Sequence, residues 1–363
     1  MPLRIGSVRG KIHALFNCLL VGCIITISYQ LHSLLQKCDK ETVSRNLFNS
    51  RLKLPPGPLI SKSGDPQRSK LSGETWAQQS SSPVVNPHPY HFVLNQEEKC
   101  KNQDVFLLII VTTSPKNYIQ RQDIRRTWAN ESNIRGVGIK RVFAVGMPED
   151  PDVQQSLVQE NGAHGDIIQE NFLDAYRNLS RKAIMGLKWA FTYCPNARFV
   201  LKTDDDVFVN PYRLMYYLRD QQSKNTSKLV TGWVYTGGKP VRDPNSPWKK
   251  WFVTMDEYPR DKYPSYADGF AYVVSNDISK ALYETSLTTK YLFVRDAFIG
   301  LCMEKLGIHP RHHDGFRLND EEVKSCSFDR VLAAHLHVVE TVDMVNTWRA
   351  LNSNCSAMRT HKT

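Results

Sequence analysis

The sequence predicts an α/β fold in which helices cover a Rossmann-like, mainly parallel sheet. Over residues 104–203, short apolar runs alternate with longer segments of helical character, an order typical of parallel βαβ units. In addition, Asp204, Asp205 and Asp206 directly follow one of the apolar runs. Ligands of such sheets bind at the carboxyl ends of strands, so the carboxylates mark the candidate site.

The individual elements follow from periodicity and from signals at their ends. The run 104–111 is almost continuously apolar, as in a buried parallel strand. Pro151 suits the first turn of a helix, and segment 174–191 places its apolar residues on one helical face. The predicted strands are 104–111, 140–145, 166–169 and 198–203, and the predicted helices are 118–128, 151–160, 174–191 and 296–306.

The three aspartates need a cationic partner, because unpaired carboxylates are costly to bury. They lie between two apolar runs, 198–203 and 207–209. Carboxylate oxygens suit Mg²⁺ or Mn²⁺, and such metals keep part of their coordination shell for water and substrate phosphates. We therefore interpret the cluster as a metal–diphosphate site. A solvated acidic turn is the alternative that the cluster alone leaves open.

The N-terminal residues predict a membrane-anchored layout. No charged residue lies between Lys11 and Lys37, and the apolar stretch between them is about long enough to span a bilayer. Basic residues precede this stretch, which places the N-terminus in the cytosol; a cleaved signal peptide is the alternative. The following segment is rich in proline and serine and cannot bury enough apolar surface to fold. The predicted layout is a cytosolic tail 1–13, a transmembrane signal anchor 14–35, a disordered stem 36–97 and a lumenal domain 98–363.

Other features agree with a lumenal location. N-glycosylation sequons begin at Asn130, Asn178, Asn225 and Asn354. Six cysteines follow the anchor, an even number that permits disulfides in an oxidising compartment. Spacing does not fix their pairing, and Cys100–Cys194 with Cys302–Cys326 is our expectation. The net charge of +11 comes from basic residues spread along the chain, so we expect no nucleic-acid partner.

Ordered motifs connect the chain to a known family. They are Arg125-Arg-Thr-Trp128, Lys202-Thr-Asp-Asp-Asp-Val-Phe-Val209, Tyr263-Pro-Ser-Tyr-Ala-Asp-Gly269 and Asp296-Ala-Phe-Ile-Gly-Leu-Cys302. In this order they resemble the Golgi β-1,3-galactosyltransferase and β-1,3-N-acetylglucosaminyltransferase family, from about residue 100 to residue 348. The resemblance implies a GT-A glycosyltransferase fold in a lumenal catalytic domain, a UDP-sugar donor, Mn²⁺ as cofactor and inversion at the anomeric carbon. The anchor and stem also match the family's type II layout.

The resemblance implies distinct roles for the three aspartates. Asp206 is the expected direct metal ligand, whereas Asp204 and Asp205 are expected to hold the donor's ribose and the metal's water shell. His335 matches the family's second metal ligand, and imidazole is an acceptable ligand for Mn²⁺. His337 is a rival, because alternate residues of a strand face the same way. A surface or core histidine remains the alternative for both.

The remaining site residues are assigned in the same way. Inversion needs a base for the acceptor hydroxyl, and Asp296 matches the family's base at the start of a predicted helix, where a simple cap is the alternative. The family usually has an acidic residue before this aspartate, whereas this chain has Arg295, a departure that would weaken the base. Asp268 and Gly269 align with the family's acceptor-side loop, where small residues allow close approach.

Arg121 and Arg125 follow the first predicted strand. There they would hold the donor's diphosphate through bidentate hydrogen bonds, and salt bridges within the fold are the alternative.

We therefore expect a Golgi type II membrane β-1,3-hexosyltransferase. It would transfer galactose or N-acetylglucosamine from a UDP-sugar to a glycan acceptor on a glycoprotein or glycolipid. Ala267 stands where the galactosyl branch often has cysteine, which slightly favours N-acetylglucosamine. Two alternatives are a catalytically degenerate relative that binds clients or glycans in the secretory pathway, and a metal-dependent lumenal phosphatase or nucleotidase.

Overall fold

The computed structural model describes residues 83–319, 323, 327–336 and 344–353. These residues lie almost entirely in one compact unit, Gly73–Leu351. The predicted cytosolic tail and anchor, and the stem as far as residue 82, lie outside the described residues, as do Cys326, His337 and Asn354. Within the described ranges, no helix combines the length and the apolar character that crossing a membrane requires.

Most of the strands belong to one sheet. In chain order the strands are β1 (Phe92–Leu94), β2 (Leu107–Thr112), β3 (Ile139–Met147), β4 (Ile167–Leu173), β5 (Phe199–Asp204), β6 (Val207–Val209), β7 (Val230–Tyr235), β8 (Tyr266–Ser275), β9 (Arg311–His312), β10 (Phe316–Arg317) and β11 (Ala333–His335). Among the described residues, the main sheet has the spatial order β1-β4-β3-β2-β5-β8-β7-β9, and β10-β11-β6 form a second, small sheet.

The four strands predicted from the sequence form the parallel centre of the main sheet. Strands β4, β3, β2 and β5 pair in parallel, and all six residues of β2 are buried, as expected for a strand covered on both faces. Beyond β5 the pairing changes, because β8 runs antiparallel to both β5 and β7. The sheet is therefore mixed, with a parallel centre as predicted. The antiparallel pairs β1–β4, β5–β8 and β7–β8 were not predicted, because each involves a strand outside residues 104–203, on which the prediction rested.

Helices flank the sheet. They are α1 (Tyr118–Arg126), α2 (Pro151–His164), α3 (Leu179–Tyr193), α4 (Pro211–Ser223), α5 (Ser279–Thr288), α6 (Arg295–Lys305) and α7 (Met344–Asn352). The ends of α2 show why these segments are helical. Asp150 caps α2 by accepting a hydrogen bond from the Asp152 amide at 2.9 Å, and Gly165 ends the helix with a left-handed φ of 56°. Both features are typical helix boundaries.

Helices α3, α5 and α6 pack against one another. Their buried side chains, among them Met185, Trp189, Leu282 and Phe298, share one apolar cluster with residues of the sheet such as Val274. Helix α6 also contacts β8 directly. Because this packing fixes the first residues of α6 against β8, it determines where Asp296 lies.

The folded unit begins earlier than the expected boundary at residue 98. Strand β1 pairs antiparallel with β4, and the His88 Nε2 atom lies 2.6 Å from a carboxylate oxygen of the buried Glu170. Residues 83–96 therefore continue the domain, and within them Phe92–Leu94 form an edge strand of the main sheet, although this stretch belongs to the predicted stem. The proline-rich composition of this segment indicated disorder, and the apolar run at 92–94 is only three residues long, which is too short to indicate a strand.

One of the two expected disulfides is present. Cys100 and Cys194 are linked and fully buried, which confirms that pair. Among the described cysteines, Cys302 is free and buried on α6, where it contributes to the apolar cluster between α6 and its neighbours. Its expected partner Cys326 lies outside the described residues, so the second pair stays a prediction.

Three of the predicted glycosylation sites lie within the described residues. Asn225 is exposed in the turn after α4 and has a left-handed φ of 48°. Asn130 is half-buried after α1, and the half-buried Asn178 donates a hydrogen bond to the Leu173 carbonyl at 2.8 Å. Asn225 is therefore the most accessible of the three acceptor side chains.

We predict that removal of the disulfide destabilises the domain. The bond closes a loop with a sequence separation of 94 residues, and loss of a native disulfide typically costs about 2–5 kcal/mol. Cys100→Ser with Cys194→Ser should therefore lower the urea midpoint of the secreted domain without changing its fold by circular dichroism. Cys302→Ala, which removes a buried sulfur but no cross-link, is the matched control and should have a smaller effect. An equal loss of stability in both proteins would contradict the prediction.

Candidate active site

The carboxylate cluster lies at the carboxyl end of β5, the strand between β2 and β8 in the sheet. Asp204 is the last residue of β5, and Asp205 and Asp206 form the turn into β6. All three side chains are half-buried. Each carboxylate meets partners from a different part of the chain, so the turn is the point at which several elements converge.

Asp206 and His335 are brought together by the small sheet. Strands β6 and β11 are antiparallel with His335 opposite Val207, and the Leu336 amide donates to the Asp206 carbonyl at 2.9 Å. The His335 Nε2 atom lies 3.1 Å from Asp206 Oδ2, and this hydrogen bond raises the pKa of His335 above its ordinary value. The structure therefore places the two predicted metal ligands side by side.

The chemistry of this pair fits a divalent metal. Asp206 Oδ1 is buried and has no hydrogen-bond partner among the described residues, which is costly for a carboxylate oxygen unless a cation meets it. Carboxylate and imidazole are both ligands of Mn²⁺, which takes few protein ligands and leaves the rest of its shell to water and phosphates. No larger group of potential metal ligands converges within the described ranges.

Asp205 is held by neutral donors from the loop after β2. Its Oδ2 atom accepts hydrogen bonds from Thr113 Oγ1 at 2.5 Å and from Asn117 Nδ2 at 2.8 Å. Burial raises the pKa of Asp205 above its ordinary value. Sequence reasoning did not identify Thr113 and Asn117; their position just after the first predicted strand was the available signal.

Asp204 is paired with two cations. Lys202 Nζ lies 2.6 Å from Asp204 Oδ1, and the two terminal nitrogens of Arg295 each lie 3.0 Å from one of its oxygens. Burial acts to raise the pKa of Asp204, but Arg295 and Lys202 outweigh it and hold the pKa below its ordinary value. Lys202 is itself buried, and burial lowers its pKa to about 8.

Asp296 lies beside this ion pair in the first turn of α6. Its Oδ1 atom accepts a hydrogen bond from Arg295 Nε at 3.0 Å. Gly269 on β8 packs against both side chains, because a Cβ atom at that position would collide with Asp296 Oδ1 and with Arg295 Nη2. Lys202 Nζ also donates to the Gly269 carbonyl. The predicted base and the predicted acceptor-side glycine are therefore in direct contact.

Asp268 faces the same pocket from β8. Its Oδ1 atom accepts a hydrogen bond from the Phe270 amide at 3.0 Å. Burial, together with the negative charge of Asp296, raises the pKa of Asp268 to about 6. The two neighbouring carboxyl groups thus differ in their hydrogen-bond donors, since Asp296 accepts from a guanidinium and Asp268 accepts from a backbone amide.

The guanidinium groups of Arg121 and Arg125 are engaged within the fold. Arg121 Nη2 lies 2.6 Å from Glu160, and Arg125 binds Glu160 at 2.6 Å and Asp166 at 2.7 Å. The Arg121 side chain is 1% exposed and the Arg125 side chain 7%, so neither presents a free fork to a ligand. This arrangement favours the salt-bridge alternative over direct contact with a diphosphate.

A family model and individual relatives both match the chain to glycosyltransferases. Residues 119–314 match the family model described as Galactosyltransferase. The chain is 38% identical over 269 residues to human beta-1,3-galactosyltransferase 1, covering 74% of this chain and 81% of that protein. It is 37% identical over 263 residues to human lactosylceramide 1,3-N-acetyl-beta-D-glucosaminyltransferase, covering 70% and 69%.

Solved structures of glycosyltransferases were also matched. One is a glycosyltransferase involved in the glycosylation of the major capsid of PBCV-1, with a TM-score of 0.34 and 13% identity, covering 67% of this chain and 97% of that one. Another is mouse xyloside xylosyltransferase 1 in its apo form, with a TM-score of 0.33 and 9% identity, covering 66% and 99%.

We predict that Asp268→Asn stabilises the domain above pH 6. The carboxyl has an ordinary pKa of 3.8 and a folded-state pKa of about 6, so the folded protein keeps a proton that the unfolded chain releases. The stability contributed by this group is therefore present below about pH 4 and is lost as pH rises through 6. Because a shift of about two units corresponds to at most about 3 kcal/mol, the variant should melt higher at pH 7.5 and no higher at pH 4. Asparagine keeps the oxygen that accepts from Phe270.

The matched control is Asp261→Asn, a change at an exposed position of the preceding loop, which should leave the melting temperature unchanged at both pH values. A lower melting temperature for Asp268→Asn at pH 7.5, or a gain that is equal at pH 4 and pH 7.5, would contradict the assignment.

Proposed function

The chain belongs to the galactosyltransferase family and is a glycosyltransferase, and we propose that it is an inverting β-1,3-hexosyltransferase with a GT-A fold. The donor would be UDP-galactose or UDP-N-acetylglucosamine, and the acceptor a glycan on a glycoprotein or glycolipid. The observation that carries the proposal is that Asp206, paired with His335, lies in the turn at the carboxyl end of β5, where Arg295 links the neighbouring Asp204 to Asp296 at the start of α6. Relatives with either donor in their names have nearly equal identity to this chain, so the donor sugar is left as two candidates.

Asp206 and His335 are the proposed metal ligands. Asp206 Oδ1 is oriented without a protein partner among the described residues, and His335 is fixed by the pairing of β11 with β6. A bound Mn²⁺ would neutralise the negative charge that develops on the diphosphate leaving group. Asp204 and Asp205 are proposed to bind the donor's ribose and the metal's water shell, because they border Asp206 in the same turn.

Asp296 is the proposed base. Inversion requires that the acceptor hydroxyl lose its proton while it attacks the donor sugar from the face opposite UDP. Asp296 lies in the first turn of α6, where the helix dipole stabilises a negative charge. Arg295 Nε donates to the Oδ1 atom of Asp296. We therefore assign Oδ2 of Asp296 as the atom that receives the proton.

Arg121 and Arg125 are proposed to act indirectly on donor binding. Arg121 Nη1 donates to the Ser114 carbonyl at 2.6 Å, and its Nη2 donates to the Pro115 carbonyl at 3.0 Å. These bonds shape the loop that carries Thr113 and Asn117, the partners of Asp205. The role proposed from the sequence, direct contact with the diphosphate, is replaced by support of this loop.

The cellular setting is proposed from the sequence. The basic residues before the apolar stretch support a type II orientation with an anchor at 14–35, a stem and a lumenal catalytic domain. The buried Cys100–Cys194 disulfide supports an oxidising compartment, and the exposed Asn225 supports N-glycosylation. The Golgi membrane is the proposed location, where the enzyme would act in protein or lipid glycosylation.

The proposal is tested by measuring UDP release from the secreted domain starting at residue 83. UDP-galactose, UDP-N-acetylglucosamine and UDP-N-acetylgalactosamine are offered with a panel of glycan acceptors, in Mn²⁺ and in EDTA. Acceptor-dependent release from one donor, lost in EDTA, is expected and identifies the sugar. Absence of both release and UDP–Mn²⁺ binding would favour a non-catalytic relative, and release of phosphate without an acceptor would favour a phosphatase.

We predict that Asp206→Asn abolishes metal-dependent donor binding. The variant removes the negative charge that a cation would meet but keeps the shape of the side chain. By calorimetry, its affinity for UDP in Mn²⁺ should fall to the level that the unaltered protein shows in EDTA. Asp220→Asn, which breaks a surface ion pair between Asp220 on α4 and Lys224 just after it, is the control and should bind as the unaltered protein does. Undiminished Mn²⁺-dependent binding by Asp206→Asn would refute the ligand assignment.

We predict a different result for Asp296→Asn. Loss of a general base typically costs about 10²–10⁴-fold in rate, whereas the donor contacts proposed for the β5–β6 turn remain. The transfer rate should therefore fall by that factor while UDP–Mn²⁺ affinity stays within about twofold. Asp243→Asn, in the loop after β7, serves as the control. If Asp296→Asn retains full transfer, another group is the base.

A further inference from the structure

Arg295 contacts both Asp204 and Asp296, an arrangement that the need for a positive charge alone does not explain. We propose, on the basis of the proposed function, that Arg295 is a positioning residue that fixes the base Asp296 relative to the donor-side carboxylate Asp204. The arginine would act through these two carboxylates rather than by touching the reacting atoms.

The geometry joins the two carboxylates through one rigid group. The Nη1 and Nη2 atoms of Arg295 each lie 3.0 Å from one oxygen of Asp204, and Nε lies 3.0 Å from Asp296 Oδ1. A guanidinium is planar, and its N–H groups form a fixed fork. Its contacts with both carboxylates therefore fix their relative orientation, which a flexible ammonium would not do.

Helix geometry alone does not bring the side chains of Arg295 and Asp296 into contact. Arg295 and Asp296 are consecutive residues at the start of α6, and side chains at adjacent helix positions do not face each other. Here the Arg295 side chain extends from α6 to Asp204 at the carboxyl end of β5, and its Nε atom donates a hydrogen bond to Asp296. The interaction with β5 therefore determines the direction of the arginine.

The fold accommodates the guanidinium closely. Its side chain is 10% exposed, and Gly269 on β8 lacks the Cβ atom that would collide with Arg295 Nη2 and Asp296 Oδ1. Burial acts to lower the pKa of Arg295, but Asp204 and Asp296 outweigh it and raise the pKa well above its ordinary value. Arg295 is thus a permanently charged, largely buried cation in close contact with Gly269, Asp204 and Asp296.

Charge compensation alone does not require this arginine. Lys202 already provides a cation to Asp204 at 2.6 Å from the same strand. What Arg295 adds is a fixed direction for the Asp296 carboxylate, with Oδ1 engaged and Oδ2 left for the acceptor hydroxyl. A misplacement of a catalytic group by about 1 Å can cost about 10²-fold in rate.

The test compares Arg295→Lys, Arg295→Gln and Arg295→Glu with the unaltered lumenal domain. For the donor and acceptor pair found in the UDP-release panel, kcat and the KM values of both substrates are measured. Arg295→Lys and Arg295→Gln should lower kcat about 10- to 100-fold with donor KM within about threefold. Arg295→Glu should be less active still, because it adds a third negative charge beside Asp204 and Asp296.

The matched control is Arg260→Lys. Arg260 forms a bidentate pair with Glu304 on the exposed face of the same helix, at 2.6 and 2.9 Å, so the variant weakens an arginine–carboxylate pair outside the site. Its kcat should equal that of the unaltered domain. Melting temperature and UDP–Mn²⁺ affinity are recorded for every variant, since these readouts report folding and donor binding without catalysis.

A loss confined to kcat in the lysine and glutamine variants supports positioning. Full activity of Arg295→Lys, or a gain of activity in Arg295→Glu, overturns it. A loss of melting temperature and UDP affinity that parallels the loss of kcat also overturns it, in favour of a purely structural ion pair. If the unaltered domain transfers no sugar from any donor, the proposed function itself fails, which the panel shows before any variant is made.

Discussion

The structure of the site depends on how the buried end of β5 compensates three adjacent negative charges. Each carboxylate has partners of a different chemical type. Asp204 has two cations, Asp205 has a hydroxyl and an amide, and Asp206 has an imidazole together with one oxygen that no described residue meets. Because buried charges persist only when they are paired, these requirements bring four separate parts of the chain to one strand end. The loop after β2, helix α6, strand β8 and strand β11 all take their functional positions from it.

A second group of buried charges supports the first. Arg121, Arg125 and Arg141 share the carboxylates of Glu160 and Asp166 beneath α1. Loss of one partner from such a group typically costs about 3–5 kcal/mol, because the remaining charge is buried and unpaired. Arg121 extends this group towards the site through the carbonyls of residues 114 and 115. The loop that binds Asp205 is therefore held in place by ion pairs that are themselves largely buried within the fold.

Sequence periodicity predicted the helices and strands whose formation depends on neighbouring residues in the chain. The parallel strands and the helices between residues 104 and 203 were found from periodicity, and the position of the carboxylates at a strand end followed from chain order. Long-range pairing was not available from the sequence in the same way. The two residues of β9 and the three of β11 carry no periodic signal, and His335 reaches Asp206, at a sequence separation of 129, only because β11 pairs with β6. Only the family resemblance identified that histidine.

Charge alone did not distinguish the two interpretations of Arg121 and Arg125, contact with a diphosphate and a salt bridge within the fold. A basic residue near a strand end has the same sequence appearance whether it binds a phosphate or a buried carboxylate, and Glu160 and Asp166 lie too far along the chain to be recognised as partners. The first cysteine pair was a correct expectation, whereas the second stays a prediction because Cys326 lies outside the described residues.

The contrast between Asp268 and Asp296 lies in the contacts of two neighbouring carboxyl groups. Asp296 lies at a helix N-terminus with a guanidinium on one oxygen, so Arg295 sets the direction of this carboxylate. Burial of the Asp268 carboxyl and the nearby negative charge of Asp296 raise the pKa of Asp268 to about 6. Near that pH Asp268 carries a proton for part of the time and can donate a hydrogen bond, whereas the proposed proton acceptor is the carboxylate that Arg295 binds.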